Sequence, residues 1–159
     1  MTINSFQFNT TPGLRYGSGQ AKDCCKEISS KLGKRILFVT DKGLMSLGLT
    51  NNTLKELQKT GSVEIFDDVE ADPSKKTLLK AIEIGKKINA TGVIGFGGGS
   101  SMDVAKLAAL ILGSNENLDE AWGVANAKGP RLPLALIPTT AGTGSEVTPV
   151  SIITVGEEE

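Results

Sequence analysis

An α/β layer structure, a mostly parallel sheet with helices packed on it, is the fold class this sequence predicts. Apolar runs rich in β-branched residues recur between amphipathic stretches, the pattern of strands alternating with helices. One of these runs passes through a turn almost free of side chains directly into a helical stretch, the joint at which such sheets build their loops. The length of 159 residues suits one domain and leaves no room for two full catalytic domains.

The elements follow in chain order. Phe6 to Tyr16 fits a hairpin turned at Pro12 and Gly13, and Ala21 to Leu32 a helix stopped by Gly33. Arg35 to Thr40 reads as a buried strand, Thr53 to Lys59 as a helix and Ser62 to Phe66 as a second strand. Leu78, Leu79, Ile82 and Ile88 stand near helical spacing, which predicts a helix over Ser74 to Asn89, and Thr91 to Phe96 is a third strand. A helix is expected from Ser100 or Ser101 to about Leu112, then a polar loop and a further strand over Leu132 to Ile137 in the apolar segment that ends at Pro138. Val150 to Val155 reads as a last strand, leading into Gly156 and three glutamates. A sheet whose last strand sits at the terminus and a chain cut at a domain boundary would look the same. No repeat, low-complexity tract or linker divides the chain, so residues 1–159 are read as one domain.

Composition removes several classes of function. Hydrophobic residues at 39% and charged residues at 22% are ordinary for a globule with one core. Lysine and arginine number 17 against 18 acids, with both signs interleaved, so there is no basic footprint for nucleic acid. Histidine is absent, which removes imidazole-dependent triads and histidine-based metal sites. Cys24 and Cys25 are adjacent, a spacing that suits neither an ordinary disulfide nor a metal knuckle and points to a reducing compartment. Met1 to Gly13 carries no basic start followed by an apolar stretch, and the longest apolar run, Leu107 to Leu112, is too short to span a bilayer. A cytoplasmic protein with no membrane partner is expected.

The most informative stretch is Gly95-Phe96-Gly97-Gly98-Gly99-Ser100-Ser101-Met102-Asp103. Glycines between a strand and a helix let backbone N–H groups approach an anion, and the positive end of the helix favours phosphate. No Gly-Lys-Ser/Thr follows, so this is not a P-loop, and Ser100 stands where the dinucleotide fingerprint wants its last glycine. The alternative is a tight turn in which Ser100 and Asp103 form a variant capping box, although four glycines exceed what a cap needs. Asp41 ends the first strong strand at the carboxyl edge, where it can accept hydrogen bonds from a ribose diol and repel a 2′-phosphate, or else cap a helix starting at Lys42. This acid precedes the glycine turn instead of following it, which disfavours a standard Rossmann unit. The segment from Pro138 to Thr148 packs hydroxyls and glycines into one loop, suited to holding a base, a ribose or a pyrophosphate, or simply a mobile surface loop. Asp72, Pro73 and Ser74 form another candidate rim, with a helix cap as the simpler reading.

Taken together, Gly97-Gly98-Gly99-Ser100-x-x-Asp103-x-Ala105-Lys106 and Pro138-Thr139-Thr140-Ala141-Gly142-Thr143-Gly144-Ser145-Glu146 resemble the N-terminal half of the iron-dependent (group III) alcohol dehydrogenases. The cofactor domain of that family is a Rossmann-like parallel sheet of the dehydroquinate synthase-like class. The resemblance runs from about Phe6, through Tyr16-Gly17-x-Gly19 and Val39-Thr40-Asp41, to the last strand. It implies NAD as cofactor, with Asp41 at the adenosine ribose and Gly97, Gly98, Gly99 and Ser100 at the pyrophosphate, Asp103 belonging to the same motif. It places Thr139, Thr140 and Thr143 along the adenine and ribose, and Thr148 and Val150 nearer the nicotinamide. A homodimer or higher homo-oligomer, formed partly through an extended strand at Phe6 to Phe8, is implied as well.

Members of that family continue into an all-helical domain whose aspartate and three histidines bind iron or another divalent metal, which polarises the alcohol oxygen so that hydride can leave to the nicotinamide. No catalytic residue and no metal ligand is expected within this chain. Its parent would interconvert a small alcohol and an aldehyde or ketone, while the chain alone would bind NAD weakly and be catalytically incomplete. Two other readings stay open: a glycerol dehydrogenase or dehydroquinate synthase-like enzyme domain, and a non-catalytic nucleotide-binding or oligomerising module.

Overall fold

Burial on both faces decides the centre of the sheet. The computed structural model describes residues 10–123 and 125–156. Within it, β1 (Arg35–Val39) is buried from Ile36 onward and β3 (Gly92–Gly97) along its whole length, as their unbroken apolar runs require. β2 (Ser62–Phe66) alternates exposed and half-buried residues up to its buried last residue, Phe66, and β4 (Leu134–Pro138) is half-buried until an exposed proline ends it, both marks of an edge. The four strands are parallel in the order β2-β1-β3-β4, with Val39 opposite Phe66 and Gly95, and Gly97 opposite Pro138.

Helices cover both faces. α1 (Gln20–Asp23), α2 (Cys25–Leu32), α3 (Lys42–Ser46) and α4 (Asn51–Gln58) lie on one, where Cys25, Leu32, Leu54 and Leu57 meet Ile36, Phe38, Ile94 and Phe96. The Phe38 and Phe96 rings stack there with centroids 5.6 Å apart. α5 (Lys75–Lys87) and α6 (Gly99–Ser114) cover the other, closing over Leu37, Val39 and Val93 with Leu78, Ile82, Val104, Ala105 and Ala108. α6 comes close because Gly95 has no side chain: a Cβ there would stand 2.7 Å from the Ala105 Cβ. No helix among the described residues is long and apolar enough to cross a membrane.

The parallel α/β architecture is as expected, and several boundaries are corrected. The helix read over Ala21 to Leu32 is divided, because Cys24, at φ −81° and ψ −4°, turns the chain between α1 and α2. α6 begins at Gly99, just ahead of Ser100, and β4 begins at Leu134, the Leu132 amide being turned instead to the Ala109 carbonyl at 2.9 Å. Val150 to Val155 is not a strand. Its Val150 carbonyl and Ile152 amide are taken by side chains of α6, and among the described residues only Thr154 pairs with backbone, its amide on the Pro73 carbonyl and its carbonyl on the Lys75 amide, as a single bridge beside Ser74. The first limb of the expected hairpin, Phe6 to Asn9, lies outside the described residues, and 10–16 holds no strand.

Candidate functional site

The chain leaving β1 turns into α3 and α4 on one face, while the chain leaving the neighbouring β3 turns into α6 on the other. Two adjacent strands whose loops part in this way leave a crevice at their carboxyl ends, the position where open α/β sheets take ligands. Asp41 stands just past the end of β1, and the glycine turn joins β3 to α6 beside it.

At the head of α6, Gly98 is the extended N-cap and offers no side chain to the first turn. The ladder starts with the Met102 amide donating to the Gly98 carbonyl at 3.2 Å, and among the described residues no acceptor meets the amides of Gly99, Ser100 and Ser101. Three N–H groups and the positive end of a 16-residue helix therefore face the crevice. The capping box of Ser100 with Asp103 does not form. Thr139 is tied to the turn through its amide, 2.9 Å from the Gly97 carbonyl. Thr140 and Thr143 stand over it: a Cβ on Gly98 would lie 3.6 Å from the Thr140 hydroxyl, and one on Gly99 would lie 3.3 Å from the Thr143 methyl.

Asp41 caps α3, its Oδ1 accepting from the Leu44 amide at 2.9 Å. The cap engages one oxygen and leaves Oδ2 without a bond among the described residues, so capping does not exclude a ligand. Lys42 pairs with Asp68 nearby; their hydrogen bond, reinforced by Coulomb attraction, holds the Asp68 carboxyl below its usual range and raises the lysine. Two buried oxygens on the segments that follow β1 and β4, Thr40 Oγ1 and Glu146 Oε2, take no hydrogen bond among the described residues.

Asp41, Gly97, Gly98, Gly99, Ser100, Thr139, Thr140 and Thr143 are thus brought to one edge. Thr148 and Val150 stand further along the loop, exposed, with their carbonyls turned to Lys106. Asp103 is buried one turn along α6 and bonds to Ser145 and Ile152, away from the open amides. Lys106 and Ser145, which sequence reasoning quoted without a role, complete that contact. The signal was a carboxylate and an ammonium at i, i+3 in a helix otherwise apolar around them. Asp72 and Pro73 turn into α5, whose N-cap is Ser74, accepting from the Thr77 amide at 3.2 Å. Among the described residues no group of three or more His, Cys, Asp or Glu could hold a metal ion.

The description "Iron-containing alcohol dehydrogenase" matches residues 12–159. The sulfoacetaldehyde reductase of Bilophila wadsworthia is 32% identical over 151 residues, which are 94% of this chain and 39% of that protein. Among solved structures, an alcohol dehydrogenase from Oenococcus oeni superposes with a TM-score of 0.89 at 29% identity, covering 96% of this chain and 41% of its own. The sulfoacetaldehyde reductase of Bifidobacterium kashiwanohense in complex with NAD+ superposes with a TM-score of 0.82 at 30% identity, again over 96% of this chain and 41% of the other. The chain spans about two fifths of the length of these relatives. A match over nearly the whole sequence, a shared parallel sheet and a glycine turn at its switch point lead to one assignment: the chain belongs to the iron-containing alcohol dehydrogenase family.

Proposed function

We propose that residues 1–159 form the NAD-binding domain of a dehydrogenase that interconverts a small alcohol and its aldehyde or ketone. The observation that carries this reading is the uncapped head of α6, three open amides at the crevice between β1 and β3, flanked by Asp41 and by Thr140 and Thr143. The amides of Gly99, Ser100 and Ser101 would hold the pyrophosphate, since the helix end supplies positive potential and the glycines admit close approach. Asp41 Oδ2 would accept from the adenosine ribose while Oδ1 keeps its cap. Thr139, Thr140 and Thr143 would line the adenine and ribose, and Thr148 and Val150 the nicotinamide side. The bound nicotinamide supplies hydride acceptance and return. A relative with the same fold was solved in complex with NAD+, which supports NAD as the cofactor.

The residues here do not fit a metal. The chain has no histidine, and the described residues hold no ligand cluster. The iron of the family's description, the substrate wall and the catalytic groups are therefore placed elsewhere in the parent protein, and this chain alone is read as catalytically incomplete. A cytoplasmic homo-oligomer is the setting we propose; the strand at Phe6 to Phe8 suggested for its interface lies outside the described residues.

Calorimetric titration with NAD tests the reading. Gly98 has φ −77° and ψ −172°, open to any residue, and a Cβ there makes only ordinary contacts. Gly98→Val should therefore fold and lose NAD by blocking the amides, and unchanged affinity in the variant would remove the pyrophosphate from this turn.

A further inference from the structure

α6 is apolar on nearly every side, so a carboxylate and an ammonium within it must be satisfied where they stand. Asp103 and Lys106 are nine-tenths buried, with their charged atoms 3.0 Å apart. Asp103 Oδ1 accepts from the Ser145 hydroxyl at 2.5 Å, and Oδ2 from the Ile152 amide at 3.0 Å. Lys106 Nζ donates to the carbonyls of Ser145 at 3.0 Å, Thr148 at 3.4 Å and Val150. An ammonium has three protons, and four acceptors surround this one. The ammonium has no proton left for a ligand, and three donors already engage the two oxygens of the carboxylate. All of these bonds, the ion pair apart, run from one turn of α6 to residues 145–152.

We propose that Asp103 and Lys106 are positioning residues: a buried pair that latches the end of the threonine loop to α6 and so holds Thr140 and Thr143 over the glycine turn, without touching the cofactor. The proposal rests on the NAD reading above. The middle of the loop has little else to fix it, since Gly142 and Gly144 have positive φ and no atom lies within 4 Å of where a Cβ would be. Its start is held by the Thr139 amide on Gly97 and its end by the latch. A loop pinned at both ends is ordered before the cofactor arrives, so less ordering entropy opposes binding.

Hydrogen exchange on the 159-residue chain without cofactor, followed by NAD titration, tests this in Lys106→Met, Asp103→Asn and the milder Ser145→Ala. The expected result is at least tenfold faster exchange at Val147 and Ile152, with the β1 and β3 amides unchanged, and NAD affinity at least tenfold weaker in Lys106→Met. Ser145→Ala should fall part of the way on both readouts, Lys106→Arg should restore both, and the double variant should bind no worse than the weaker single. Weaker binding with unchanged loop exchange would make Lys106 a direct ligand and overturn the proposal, as would a loosened loop with full affinity. Should the unaltered chain take up no NAD at millimolar concentration, the cofactor reading falls and the positioning role with it. The exchange data, taken without cofactor, still show whether the latch exists, so the two failures are distinguishable.

Discussion

Asp41 does one thing in the structure and is asked to do a second. Its cap on α3 is observed; its ribose contact is proposed, and Asp41→Asn separates them because asparagine caps as well as aspartate. The variant should keep its stability within about 0.5 kcal/mol, yet lose roughly tenfold in its preference for NAD over NADP, as removal of a charge facing the 2′-phosphate demands. Titrating both cofactors reads the ratio, and an unmoved ratio would leave Asp41 as a cap only. Cys25 gives a pH prediction. Burial above all pushes its thiol up to about 11 from 9.0, with its Cys24 neighbour adding to the rise. The folded chain thus holds a proton that the unfolded chain releases, a contribution complete below pH 9 and lost as pH climbs towards 11. Thermal unfolding followed from pH 8.5 to 11 should show that decline, and Cys25→Ala should flatten it. The glycine turn could be read from sequence because its chemistry is local, backbone amides and absent side chains in one stretch. The roles of Asp103 and Lys106 could not, since their partners Ser145 and Ile152 lie far along the chain and burial alone fixes the pairing.

Strands and helices were recoverable where burial leaves a periodic trace. β1 and β3 show as continuous apolar runs because both faces are covered, and α5 shows its spacing because one side meets solvent. The errors share a cause. Val150 to Val155 has the β-branched composition of a strand, but its Val150 carbonyl and Ile152 amide are committed to side chains of α6 and Thr154 to the turn before α5, and composition does not record those commitments. The break at Cys24 carries no glycine or proline to announce it. The packing of α6 on β3 yields a prediction of its own. Gly95→Val would press into Ala105 and the Leu136 methyl, 2.7 and 2.9 Å from the new Cβ, and should destabilise the chain by about 1–3 kcal/mol. The midpoint of urea unfolding measures it; a shift of less than about 0.5 kcal/mol would mean that α6 can retreat from the sheet without cost.

Cofactor and stability are linked through the whole chain. A ligand that binds only the folded form at a hundred times its Kd adds about 2.7 kcal/mol, which for a domain of this size raises Tm by roughly 5–10 °C. Scanning calorimetry should find that rise with NAD for the unaltered chain and none for Gly98→Val. The sheet order has a further effect, on the history of the molecule. β1 is made before either of the strands that flank it, so it waits with both edges open until β2 and then β3 are supplied. The barrier to folding should be crossed when β3 closes on β1, because that step encloses both cores at once, with the threonine loop fastened afterwards. Truncating Ile94 to alanine should then slow refolding, whereas Ser145→Ala should leave refolding alone and hasten unfolding, a division that stopped-flow chevrons resolve. The segment that completes the crevice would thus be the last to arrive and the first to leave, and its opening would set how long the native state survives between encounters with cofactor.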